Sequence, residues 1–138
     1  MNPSSHNIGF ISTRFAGTDG VSLETQKWVT VLERMGHKCF YFAGECDRSA
    51  DSSHVVPEAF YRHPEIDKLN QQAYSGSWTV TKEARESHPE MAHLHKDFFS
   101  IYVRPPAMTK RINELKEYFK EELYKFARKF NLEILVTE

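Results

Sequence analysis

Apolar and polar positions in the first forty residues follow two different periods. A short apolar run at positions 8–11 is typical of a buried parallel strand. The next stretch is amphipathic with a helical period, and Gly36 stands where a left-handed C-terminal cap is expected. The apolar residues that we expect on its buried face are Leu23, Trp28, Val31, Leu32 and Met35. A second strand at 38–42 completes a right-handed strand–helix–strand unit.

The clearest helical period lies near the other end of the sequence. Apolar residues three or four positions apart predict a helix over 109–131, with Thr109 capping its start and Asn131 its end. The residues that set this period are Ile112, Leu115, Phe119, Leu123, Phe126 and Phe130. A third apolar strand at 132–136 follows and should pair beside the first strand in a doubly wound sheet.

The middle of the sequence is less regular. Positions 43–63 predict a loop with one short strand at 54–56, and a helix should begin at Pro64 and run through Tyr74 until Gly76 breaks it. Positions 78–103 predict further helix, interrupted at 88–89 and ended by the prolines at 105–106. The fold class is therefore α/β: a partial Rossmann-like, three-layer domain with a parallel sheet and a helical insertion, forming one domain over 1–138.

The amino-acid composition of the chain narrows the classes of function to be considered. Of the 138 residues, 40% are hydrophobic and 27% charged, which is typical of a globular domain. The net charge of −1 gives no basic excess for nucleic acid. The polar first residues lack a signal peptide's apolar core, no apolar run is long enough to span a membrane, and the two cysteines form no disulfide framework. We therefore expect a cytoplasmic location.

Seven histidines raise the question of a metal site. His93 and His95 alternate, so on a helix their side chains would point about 200° apart and could not easily share one ion. His88 precedes them, but no cysteine or carboxylate set completes a recognised ligand spacing. We expect no metal.

The candidate site is the turn between the first strand and the first helix, which consists of Gly17, Thr18, Asp19, Gly20, Val21 and Ser22. A helix N-terminus attracts anions, and glycine lets a ligand approach the backbone. Ser22 is the expected N-cap, with Glu24 in the first turn. The pattern is neither G-x-G-x-x-G nor a P-loop, so a turn without a ligand is an open alternative.

Two charged residues of this turn leave alternatives open. The Asp19 carboxylate disfavours a bare phosphate and fits sugar hydroxyls or a catalytic base, which makes Asp19 a weak catalytic candidate; the alternative is that it only caps backbone N–H groups. Arg14 follows Ser12 and Thr13 at the carboxyl edge of the first strand. Arg14 could pair with a phosphate or carboxylate, or could equally be a solvated loop cation.

The segment IGFISTRFAGTDGVSLETQKWVTVLERMGHKCFYFAG resembles the start of GT-B glycosyltransferases of the group 1 (family 4) type. The residues that carry the resemblance are Gly17 to Ser22, Trp28, Leu32, Gly36 and His37, together with the long helix leading into LEILVTE. The resemblance implies retaining sugar transfer from a nucleotide-sugar donor, with no further cofactor, in a cleft between two Rossmann-like domains. It also implies that the 17–22 turn lies near the donor phosphates and that this N-terminal domain mostly holds the acceptor.

The resemblance further implies that the C-terminal donor-binding domain and the latter half of the first domain are absent from this sequence. We therefore expect the chain alone to be inactive. We also expect the apolar strand at 132–136 to leave an open sheet edge that dimerises, swaps an element or is covered by the chain's own helices. One alternative is a stand-alone nucleotide- or phosphate-binding α/β module, but the sequence shows only three strong strands where such folds need about five. The other alternative is a non-enzymatic interaction domain.

Overall fold

A computed structural model describes residues 4–75, 82–95 and 106–138. The strands are β1 (Asn7–Ile11), β2 (Arg14–Phe15), β3 (Lys38–Ala43), β4 (Glu45–Cys46), β5 (Ser53–Val55) and β6 (Ile134–Thr137). The α-helices are α1 (Gly20–Arg34), α2 (Pro64–Ser75), α3 (Lys82–Ser87) and α4 (Pro106–Lys129). Within these described ranges, no helix is both long and apolar enough to cross a membrane.

The chain divides into two compact units. The first comprises Met1–His63 and Phe119–Glu138, and the second comprises Pro64–Tyr118. The first unit contains a parallel four-stranded sheet in the order β5-β3-β1-β6. Gly9 of β1 pairs with Phe40 on one side and with Leu135 on the other. The predicted α/β fold and the pairing of the last strand beside the first are thereby confirmed.

Helix α1 packs on one face of this sheet, but not through the predicted residues. Its buried residues are Ser22, Thr25 and Val29, whereas Trp28 is 56% exposed. Leu23, Val31 and Met35 of the predicted face are also exposed, and only Leu32 packs against the core. The apolar pattern was misleading because the hydroxyls of Ser22 and Thr25 have hydrogen-bond partners, so these small polar side chains can be buried against the sheet.

The second half of α4 packs on the opposite face of the sheet. Phe126 is fully buried with Phe42 and Val56. Gly9 permits this approach, since a Cβ there would lie 2.6 Å from Leu132 Cδ1 and 2.9 Å from Phe126 Cε1. The first unit therefore has the predicted three layers.

Several element boundaries differ from the predictions. Helix α4 begins at Pro106 rather than at Thr109, because proline lacks the N–H that a first-turn residue cannot pair within the helix. Asn131 adopts a left-handed conformation with φ 48°, as expected for a residue that ends a helix. The sequence did not indicate the two-residue strands β2 and β4, which pair with each other. The short strand predicted at 54–56 is β5.

The second unit contains α2, α3 and the first half of α4. The predicted helix from Pro64 is confirmed, and the predicted interruption at 88–89 coincides with the end of α3 at Ser87. The prediction that helix resumes after this interruption was wrong for the described residues 92–95, which form a turn after a single 3-10 turn at Pro89–Met91. Within this unit the Arg111 guanidinium forms a two-pronged ion pair with the Glu65 carboxylate. The predictions for Gly76, for helix at 78–81 and 96–103, and for Pro105 lie outside the described residues.

Candidate functional site

The candidate turn lies at the carboxyl edge of the parallel sheet. The chain leaves β1 at Ile11, and the Ser12 amide donates to the Phe42 carbonyl at 3.1 Å. The Thr13 carbonyl accepts the Gly44 amide at 3.0 Å, so the segments that follow β1 and β3 are joined at this edge. Ligands of open α/β sheets bind outside this edge.

Asp19 is the N-cap of α1. Its Oδ1 accepts the Ser22 amide at 3.0 Å, and its Oδ2 accepts the Ser22 hydroxyl at 2.8 Å. The prediction of Ser22 as N-cap was wrong by three positions, because Asp19 is an equally good capping residue and its carboxylate accepts the Ser22 amide at the third helical position. Glu24 consequently falls beyond the first turn.

The environment of Asp19 favours its ionised form. The Ser22 amide and then the Ser22 hydroxyl hold the pKa of this carboxyl below its usual value, and the Arg14 guanidinium adds to the effect. Both carboxylate oxygens are engaged with Ser22, which suits a cap better than a proton acceptor. Asp19 therefore caps backbone N–H groups at the turn, and its catalytic role stays a prediction.

The buried side chain of Ser22 connects the turn to the first turn of helix α1. Its Oγ accepts the Ala16 amide at 3.1 Å while donating to Asp19. The turn from Ala16 to Ser22 is therefore fixed at both ends by one hydroxyl. A fixed turn can present its exposed backbone to a ligand without first being ordered.

Arg14 is paired rather than a solvated loop cation. Its Nε donates to Glu45 Oε2 at 2.5 Å, which links β2 to β4, and its Nη1 lies 3.4 Å from Asp19 Oδ2. Each of these side chains is partly exposed. Arg14 is shared between Glu45 and Asp19, so it offsets the negative charge of Asp19 only in part.

The structure requires a glycine at one of the two glycine positions of the turn but not at the other. Gly17 has φ 70°, a conformation that L-residues rarely adopt, and its amide donates to Asp47 Oδ2 at 2.8 Å. Gly20 has no such constraint, and a Cβ there would meet no atom of the described residues within 4 Å. The fold therefore requires a glycine at 17 and leaves open space at 20. Thr18 and Val21 are exposed beside that space.

Two further residues complete the site, and sequence reasoning missed them. Asp47 binds the Gly17 amide, and Arg48 Nη2 donates to the Ser22 carbonyl at 3.3 Å. The Arg48 guanidinium also lies over the Tyr41 ring, at 5.7 Å from its centroid, and its buried Nε has no hydrogen-bond partner among the described residues. The sequence feature that could have identified Asp47 and Arg48 is their position just after β3, at the same carboxyl edge of the sheet as the turn.

A metal centre finds no support in the part of the chain that the structure describes. No group of three or more His, Cys, Asp or Glu side chains within it could hold an ion. His93 and His95 are both exposed there.

Comparison with known proteins gives one informative similarity. A mannosylglucosylglycerate synthase of Thermotoga maritima is 27% identical over 101 residues, which cover 69% of this chain and 23% of that protein. The chain thus spans about a quarter of the length of this curated relative. No family model and no solved structure matches. The similarity supports a distant relationship to glycosyltransferases.

Proposed function

We propose that this chain is the acceptor-side, N-terminal part of a retaining GT-B glycosyltransferase that uses a nucleotide-sugar donor, and that the chain alone is inactive. The single observation that carries the proposal is the similarity to a glycosyl-transferring enzyme over 69% of the chain. The parallel α/β sheet, with an exposed turn at its carboxyl edge, agrees with it. That relative is much longer than this chain, which supports a missing donor-binding domain.

The proposed role of the turn follows from its backbone. The first N–H groups of a helix have no acceptor within the helix, and Asp19 already binds that of Ser22. The amides of Gly20 and Val21 are then the ones available to a donor phosphate, over the open space at Gly20. Thr18 and the engaged carboxylates of Asp19 and Asp47 suit neighbouring sugar hydroxyls, which donate hydrogen bonds to such oxygens.

Amide NMR spectra test this role directly. We expect titration with UDP-glucose and GDP-mannose to shift the amide signals of Gly20 and Val21, with millimolar affinity because most nucleotide contacts would lie on the other domain. Gly20→Val fills the open space and should abolish the shifts while leaving the fold intact. Gly36→Asn is the matched control, because Gly36 also faces open space, at the opposite end of α1. Unchanged Gly20 and Val21 signals at millimolar ligand would contradict the proposed role.

Two further measurements separate this proposal from its alternatives. Incubation with nucleotide-sugars and a sugar acceptor should give no transfer product, and product formation would overturn the claim that the chain alone is inactive. A rise in Tm of several degrees at submillimolar nucleotide would show a complete nucleotide site and favour a stand-alone module.

A further inference from the structure

The segment that follows β4 contacts the candidate turn at both of its ends. At the start of the turn, Asp47 Oδ2 accepts the Gly17 amide at 2.8 Å. At the other end, Arg48 Nη2 donates to the Ser22 carbonyl at 3.3 Å. Two consecutive side chains thus hold the backbone on either side of positions 18–21, which include the amides proposed to bind the donor phosphate.

Asp47 and Arg48 also contact each other. Arg48 Nη1 lies 3.2 Å from Asp47 Oδ1, which is the carboxylate oxygen that does not bind Gly17. The carboxylate therefore has one oxygen on the turn and the other on the guanidinium, while the guanidinium has one nitrogen on Asp47 and another on Ser22. An arginine suits this position because its planar fork of donors holds two acceptors in fixed directions.

Arg48 is itself held against the sheet. Its guanidinium lies over the ring of Tyr41, a buried residue of β3, at 5.7 Å from the ring centroid. Only 21% of the Arg48 side chain is exposed, whereas 48% of the Asp47 side chain is. The buried Nε has no hydrogen-bond partner among the described residues, and an unsatisfied buried donor opposes folding. The placement of Arg48 therefore favours a role at the site over a contribution to stability.

We propose that Arg48 is a positioning residue of the candidate site, which holds the Asp47 carboxylate and the start of α1 so that the turn keeps one conformation. The inference rests on the proposed function, since it takes the amides of Gly20 and Val21 as the contacts of the nucleotide-sugar. The described hydrogen bonds of Arg48 do not reach these two amides, so Arg48 acts through the turn. A turn that is ordered before the ligand arrives binds it more tightly, because binding then loses less conformational entropy.

Substitution of Arg48 by methionine tests the proposal, because methionine keeps an unbranched apolar stem and removes every donor of the guanidinium. The ligand is whichever of UDP-glucose and GDP-mannose the wild type binds, and its Kd is measured from the amide shifts of Gly20 and Val21. We expect Arg48→Met to raise this Kd about tenfold. Arg62→Met is the matched control, because the exposed Arg62 also lies over a tyrosine ring, that of Tyr61, at 5.5 Å. An equal rise in the control would overturn the proposal.

Backbone order without any ligand gives a readout that does not depend on the proposed function. The ¹⁵N order parameters of residues 18–21 should fall in Arg48→Met and keep their wild-type values in Arg62→Met. Unchanged order parameters in Arg48→Met would overturn the positioning role. Wild-type signals of Gly20 and Val21 that do not respond to either nucleotide-sugar would instead contradict the proposed function.

Two further variants separate positioning from simple attraction of a phosphate. Arg48→Lys keeps the charge, but a single ammonium lacks the fork that reaches Asp47 and Ser22 together. We expect its Kd to be close to that of Arg48→Met, and wild-type affinity would overturn the proposal because charge alone would then suffice. In an Asp47→Ala background, Arg48→Met should raise the Kd much less than in the wild type, since the two side chains act together. Fully additive effects would refute this shared role.

Discussion

His54 and Glu122 connect the edge strand β5 to helix α4 through a 2.7 Å contact between Nε2 and Oε2. The two side chains are 17% and 12% exposed, and the His54 ring stacks on Phe42 with an interplanar angle of 12°. Glu122 also accepts Lys125 Nζ at 2.6 Å. A contact between residues 68 positions apart thus holds the long helix against the sheet.

Removing the charge of Glu122 should weaken this connection. We expect Glu122→Gln to lower the free energy of unfolding by about 1 kcal/mol, since a hydrogen bond to a charged group is lost from a largely buried position. Urea denaturation measures the change. Glu121→Gln is the control because Glu121 is exposed on the same helix, and an equal loss in the control would exclude a specific role for the His54 contact.

Acid should destabilise the first unit through its carboxylates. The pKa of Glu122 is lowered by Lys125 and then His54, that of Glu133 by the Asn7 amide, and that of Asp19 by the Ser22 amide. A folded-state pKa below the unfolded value contributes stability that is present above the unfolded pKa and lost as the pH falls through the folded one. Stability should therefore drop below the ordinary values of 3.8 for Asp and 4.5 for Glu. Urea midpoints between pH 7 and pH 3 that do not change would disprove this linkage.

The two turn glycines should respond oppositely to alanine. Gly17→Ala forces a Cβ into φ 70° and should cost about 1 kcal/mol. Gly20→Ala meets open space in the first turn of α1 and should be neutral or stabilising by up to about 1 kcal/mol. Thermal unfolding of both variants gives the comparison, and a destabilised Gly20→Ala would mean that the fold itself requires this glycine.

Gly44 should tolerate no side chain. A Cβ there would overlap the Phe60 backbone nitrogen and lie 2.5 Å from the carbonyl carbon of Ala59, and backbone cannot move aside as a flexible side chain can. We expect Gly44→Ala to cost about 3 kcal/mol, as overpacking in a rigid site does. Denaturation midpoints measure it against Gly20→Ala, and similar values for the two variants would contradict the close approach.

The sequence predicted where the candidate site lies better than it predicted which residues form it. Strand β1, the turn and the left-handed Gly36, with φ 93°, follow from local signals alone. Asp47 and Arg48 did not, because their contacts with Gly17 and Ser22 cross 30 and 26 positions. A distant pair leaves no period or spacing in the sequence.

The sequence by itself determined the order of β1, α1, β3, α4 and β6, since periodicity, prolines and glycines act within a few residues. The tertiary structure alone decided which face of α1 is buried. Trp28 is exposed and Thr25 is buried because the sheet, with Glu138 at its edge, offers the threonine hydroxyl a partner. Whether a side chain is buried depends on the residues that it contacts. These contacts form only when β1 and β6 pair across more than a hundred positions.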